Sequence, residues 1–267
     1  MTTEQDQAQD VAALWMVLGS KESSVEAQRD AFEELLFRYG LDQDICLYLL
    51  VRLEKVEPHA DEQLILLFSV CEELNLPAGT TELRTKLSTR LHEIAFPLKS
   101  VASSEGEWCA CAALRTMSRL MGRSALTWIS AYLVEESTPL VQQTALHAVS
   151  KILTPFPPSE EFDTRALEEK LRERSTRFRT PQSLVTVSDA TNAALLWSAL
   201  GLLQPQDLPM IIEIVRSYHD EWVRKEIGTV FAKAANKWAM PSRQGPAASI
   251  KLLREAATAL NRSTTST

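Results

Sequence analysis

Five cations crowd one short stretch of this chain. Lys170, Arg172, Arg174, Arg177 and Arg179 run from the end of an amphipathic segment into the irregular stretch RFRTPQSLVTV. At helical periodicity, positions 170, 174 and 177 share one face. Guanidinium groups hold planar anions through paired N–H donors, so such a face has the chemistry of a site for a carboxylate, an acidic partner or a phosphate backbone. Glu169 and Glu173 stand beside the cations as intrahelical partners, which leaves a second reading open, a solvated face that neutralises itself. Arg174, Arg177 and Arg179 are therefore the candidate partner-binding cations. Two tryptophans join them. Trp15, Trp128, Trp197 and Trp238 fall on apolar stripes and read as core, whereas Trp108 and Trp222 lie near helix starts, where a ring can project into a groove and anchor a partner.

No other residues have the spacing of catalysis or metal binding. His59, His92, His147 and His219 are far apart and read as surface or turn histidines. Cys109 and Cys111 are two apart and point to different faces of a helix, and with Cys46 and Cys71 they read as small buried hydrophobes, not as zinc ligands. The chain has no G-x-S-x-G elbow, no G-x-G-x-x-G fingerprint, no phosphate-binding G-x-x-x-x-G-K-[ST] and no H-E-x-x-H. The expectation is a protein that is not an enzyme, with no catalytic residue, no cofactor and no metal.

Composition narrows the partners. The formal net charge of −7 is spread unevenly, −9 over residues 1–90, 0 over 91–180 and +2 over 181–267. A nucleic-acid protein calls for a basic whole or a long basic stripe, so nucleic acid is not expected as the main partner. The opening MTTEQDQAQD is acidic and polar, unlike a secretory leader, and the longest apolar runs, such as 45–51, end well short of a membrane span. A cytoplasmic, reducing setting and a protein partner are the expectation, with no membrane association.

The elements that must position these side chains read as helices. Eight glycines and twelve prolines are few for 267 residues, and no run of Val, Ile or Thr alternates with polar residues as a strand does. Starts and stops recur. Gly19 ends a first helix over 4–19, Ser24 opens and Gly40 closes a second, and Asp42 starts a strongly apolar third. Asp61 caps a fourth, and Pro97 stops a fifth over 81–96. The cycle resumes over 107–121, 124–135, 139–153, 162–176, 188–203, 207–217, 220–238 and 246–261, followed by a polar tail expected to fray.

These helices repeat. Apolar residues at offsets +4, +7, +8 and +11 recur from Gln28 (Phe32, Leu35, Leu36, Tyr39), Asn192 (Leu196, Ala199, Leu200, Leu203), Val141 (Ala145, Ala148, Val149, Ile152) and Val223 (Ile227, Val230, Phe231, Ala234). From Ala110 the slots are Leu114, Met117, Ser118 and Met121, so Ser118 breaks the pattern. The starts 28, 110 and 192 are 82 residues apart, as are 141 and 223, and one step earlier His59 gives a partial match through Leu66, Leu67 and Val70. Four helices in 82 residues make two hairpins of about 41 residues each. The last full hairpin, with Pro209 in its first helix, Asp220 at the turn and Val223-Arg224 entering the second, resembles a HEAT repeat. The hairpin at 124–153 departs from that pattern, with Gln142 where Arg224 stands.

The HEAT/armadillo resemblance implies an all-α, right-handed α-solenoid of about six hairpins behind an N-terminal capping helix. Its single domain over 1–267 would comprise the cap at 1–20, similar four-helix segments at 21–101, 102–183 and 184–262, and the tail 263–267. It further implies a non-catalytic protein-binding scaffold or adaptor that presents a concave helical surface. The alternative is a helical-repeat nucleic-acid-binding protein akin to the DNA glycosylases of this architecture, for which Asp220, Trp222 and Arg224 supply the residue types. A third reading is an inhibitor-like subunit whose acidic N-terminal third covers a basic partner.

Overall fold

In a computed structural model that describes residues 4–56, 61–77, 79–101, 103–154, 164–178, 180 and 183–262, the chain is all-helical, with no strand among the described residues. It divides into two compact units, Met1–Met121 and Gly122–Thr267. The division falls inside the second of the three segments expected from the sequence.

The first unit contains α1 (Glu4–Gly19), α2 (Val25–Glu33, continued by a π-helical turn Glu34–Arg38), α3 (Asp42–Leu53), α4 (Glu62–Glu73), α5 (Thr81–Leu98) and α6 (Ser104–Met121). Local chemistry sets most of these ends. Ser24 and Asp61 stand in extended backbone and accept from the amides of Ala27 at 3.1 Å and Leu64 at 2.8 Å, each satisfying an amide that the helix itself leaves free. Gly40 ends the second helix with φ +64°, a left-handed conformation that glycine adopts without strain.

Two expected ends are corrected. Pro97 does not stop α5, which runs on to Leu98; in the last turn a proline forfeits one hydrogen bond without having to bend a long helix. The helix expected over 107–121 begins at Ser104, because the Ser103 hydroxyl accepts from the Gly106 amide at 3.1 Å.

Within this unit α4 packs against both α2 and α6, and α5 against both α3 and α6. Arginines tie neighbouring helices together through carbonyls that a helix C-terminus leaves without partners. Arg90 donates from Nε and Nη2 to the Leu53 carbonyl at 3.0 and 2.8 Å, and Arg119 donates from Nη2 to that of Cys71 at 3.0 Å.

The second unit opens with a 3-10 turn (Gly122–Ala125) and contains α7 (Leu126–Ser130), α8 (Pro139–Ile152), α9 (Arg165–Arg177), α10 (Val187–Leu203), a 3-10 turn (Pro205–Asp207), α11 (Leu208–Arg216), α12 (Glu221–Trp238) and α13 (Ala247–Arg262). The helix expected over 124–135 is only five residues of α7. Beyond it Tyr132 and Leu133 are buried in tight turns closed by bonds to the Ile129 and Ser130 carbonyls, at 3.1 Å each. Pro139 opens α8, with Thr138 before it in extended backbone. α10 packs against α8, α9 and α12, and α13 covers α12 and α11.

The residues that carry the 82-residue register lie in α2, α4, α6, α8, α10 and α12. Phe32 and Leu36, Leu66 and Leu67, Leu114 and Met117, Val149 and Ile152, Leu196 and Leu200, and Ile227 and Phe231 are all buried. Ser118 is buried with them. Its hydroxyl donates to the Arg115 carbonyl of its own helix at 2.8 Å, which is how a polar residue fits an apolar slot.

Candidate binding clefts of the second unit

α9 carries little apolar surface. Leu167 and Leu171 hold it in place, and the turn that follows them buries Arg174 and Ser175. The five cations predicted as one patch have separate fates. Arg172 pairs with Asp207 at 3.2 Å and Arg177 with Glu135 at 2.5 Å, in both cases across the fold and not with Glu169 or Glu173 of their own helix. Burial lowers the Lys170 pKa, with Glu173 opposing that shift and Arg174 adding to it. Arg179 lies outside the described residues.

Arg174 is 7% exposed. Its Nη2 donates to Gln142 Oε1 at 2.5 Å, and Gln142 Nε2 donates in turn to the Ser137 carbonyl at 2.6 Å, so one glutamine on α8 braces both. Among the described residues no carboxylate lies within ion-pair distance of Arg174. Burial, and then Arg177, lower its pKa, while Glu135, Glu136 and Glu173 act in the opposite direction. These residues line a cleft of about 440 Å³ together with Asn192 and Asp189 of α10. Asp189 is held by a reciprocal cap, accepting from the Thr186 amide at 2.9 Å while Thr186 Oγ1 accepts from the Asp189 amide at 3.1 Å.

A second cleft, of about 290 Å³, is lined by three helices. α8 contributes Gln143, His147 and Ser150, α10 contributes Thr191, Leu195 and Ser198, and α12 contributes Glu226, Val230, Lys233, Lys237 and Trp238. Glu226 is engaged by Thr191 Oγ1 at 2.8 Å, and Trp238 Nε1 reaches Ser150 Oγ at 3.3 Å. Burial, and then the neighbouring cations Arg243 and Lys151, lower the Lys237 pKa; burial and then Lys237 lower that of His147. The groove is thus a cationic, partly apolar surface whose one lining carboxylate is already engaged. Sequence reasoning set His147 aside and passed over Lys233 and Lys237. The signal was present as polar residues at positions 143, 147 and 150, at 191 and 198, and at 226, 233 and 237, which keep helical spacing beside the apolar register.

The two tryptophan candidates do not converge with the arginines. Trp222 is 42% exposed in the first turn of α12 and is not among the residues lining either cleft. Trp108 is half-buried on α6, in the other unit. Asp220, Trp222 and Arg224 form no open catalytic set either, since Arg224 Nη1 donates to the Tyr218 carbonyl and, at 3.3 Å, to that of His219, closing its own turn. Among the described residues no group of His, Cys, Asp and Glu is arranged to hold a metal, and no helix is long and apolar enough to cross a membrane. Comparison with protein-family models, curated proteins and solved structures returned no match.

Proposed function

We propose that this chain is a HEAT-like helical-repeat scaffold, non-catalytic and cytoplasmic, that binds an acidic segment of a protein partner. The observation that carries this reading is the groove across α8, α10 and α12, where Lys233 and Lys237 stand beside Leu195, Val230 and Trp238. A groove of this kind offers apolar area for anchoring side chains and positive charge for steering and register. Further support comes from the recurrence of one apolar register on the even-numbered helices, together with the contacts of α4 with α2 and α6 and of α10 with α8 and α12. That Arg224 serves its own turn favours binding over base excision. Four free buried cysteines suit a reducing compartment.

The test is affinity capture from the native cell with the wild-type chain and with the double variant Lys233→Glu/Lys237→Glu. Lys233 is exposed and Lys237 half-buried beside Arg243 and Lys151, so the thermal stability of the double variant is measured alongside capture and should stay close to that of the wild type. The expected outcome is a partner retained by the wild type and lost by the variant. Identical partners on both baits would remove the groove from the proposal.

A further inference from the structure

The cleft beside α9 holds an incomplete set of hydrogen bonds. Arg174 Nη1, Ser137 Oγ and Asn192 Oδ1 have no partner, the three residues are 7%, 3% and 5% exposed, and all of them line the same cleft. Their chemical identities are constrained by the bonds that are made. Asn192 Nδ2 donates to the Pro139 carbonyl at 3.1 Å, so exchanging the two amide atoms would set oxygen against oxygen; Oδ1 is the open atom, and it is an acceptor. Gln142 is held by its bonds to Arg174 and to the Ser137 carbonyl in the same way. The residues lining the cleft therefore carry a charged donor, a hydroxyl and an acceptor just beneath its wall, within reach of a ligand once that wall opens. Buried polar groups are ordinarily satisfied and buried charges ordinarily paired, and these atoms are closed to bulk water.

We propose that this cleft binds a carboxylate that carries an N–H donor beside it, as at the C-terminal residue of a peptide or in an N-acyl amino acid. The carboxylate oxygens accept from Arg174 Nη1 and the Ser137 hydroxyl, and the neighbouring N–H donates to Asn192 Oδ1. Charge selects carboxylate over phosphate. Arg177 is already neutralised by Glu135 and no carboxylate among the described residues pairs with Arg174, while Asp189 adds a negative charge at the rim, so the site has one unpaired cation and little tolerance for further negative charge. A monoanion balances it, whereas a phosphate monoester, with close to two charges at neutral pH, would face two carboxylates. The ligand enters past the Arg177–Glu135 pair. Its side chains are 46% and 58% exposed, and an ion pair so exposed resists opening only weakly. The inference rests on the scaffold reading only for the source of the carboxylate, a chain end of a partner.

The experiment is calorimetric titration of the full chain, with side-chain amide resonances followed in parallel, using N-acetyl-glycyl-alanine as the free acid, its carboxamide, N-acetylalanine and inorganic phosphate. The free acid should bind about tenfold or more tighter than the carboxamide, because only the acid makes charge-assisted bonds, and it should shift the Asn192 amide resonances. Arg174→Met should abolish binding. Ser137→Ala carries the test if that variant does not fold, since the Ser137 hydroxyl makes no bond that the substitution would break, and several-fold weaker binding is expected. Tighter binding of the dipeptide than of N-acetylalanine assigns the cleft to a chain end, and the reverse order to a small free acid. Equal affinity for acid and carboxamide, preferential binding of phosphate, or unchanged binding by Ser137→Ala overturns the proposal. The groove variant Lys233→Glu/Lys237→Glu should bind the free acid as the wild type does. Failure of the titration with partner capture intact therefore removes this site alone, and failure of capture with the titration intact removes the scaffold reading alone.

Discussion

Cys46, Cys71, Cys109 and Cys111 are all free and buried, and burial determines their chemistry. It raises the Cys71 thiol strongly, pushes the Cys109 thiol up to about 12 and the Cys46 thiol to about 11, because a thiolate loses its hydration inside the protein. An aromatic disulfide reagent at about pH 8 should leave these four unmodified in the native protein and react with them on unfolding. Labelling of the native chain at the rate of a free thiol would contradict their placement. The raised values also tie stability to pH with a definite sign. A thiol that stays protonated longer when folded contributes its full share below the unfolded value of roughly 8.5, and that share is lost as pH rises toward the folded value. Denaturant midpoints should therefore fall between pH 8.5 and about 11, the value for Cys46. At this scale the sequence was legible for the cysteines, whose lack of ligand spacing already pointed to burial. It was not legible for Arg174, which is separated from its arginine neighbours by a Gln142 contact 32 positions away. Partners that distant along the chain leave no local pattern.

Helix ends were readable because capping is local chemistry. Ser24, Asp61 and Gly40 act within a few residues of themselves, and each marks an end or a start in the fold. Where the reading failed, at α7, Tyr132 and Leu133 are buried in turns just as they would be on a helix, so the apolar periodicity of 124–135 did not distinguish the two. The close approach of α10 to its neighbours could not be read at all. A Cβ on Gly201 would lie 2.6 Å from Leu208 Cδ2, and Leu208 is itself fully buried, so it has no room to yield; Ser249 Oγ meanwhile donates to the Gly201 carbonyl at 2.7 Å. Gly201→Ala should destabilise the protein by about 1–3 kcal/mol in chemical denaturation, despite the better helix propensity of alanine. A neutral or stabilising result would mean that the helices are not packed this closely.

The whole chain is two compact units, each built from helices that touch near neighbours in sequence. The −9 charge of residues 1–90 belongs to the first and the +2 of residues 181–267 to the second, so acidic and basic character are segregated by unit. Residues 122–267, expressed alone, should retain a helical circular-dichroism spectrum and one cooperative unfolding transition, since the unit has its own core around Trp197, Phe231 and Trp238. A piece that stays unfolded would show that the division at Gly122 does not mark an independent folding unit.

By itself the sequence determined helix content, most helix boundaries, which face of each repeated helix is buried, and the absence of familiar catalytic motifs. All of these depend on periodicity and capping within a few turns of chain. Only the tertiary structure decided which cations remain without a counter-charge, and that polar residues of α8, α10 and α12 share one groove. It also showed that Ser137, Arg174 and Asn192 meet in one cleft. Those outcomes depend on contacts between helices far apart along the chain, where the apolar pattern states that a face is covered but not what covers it.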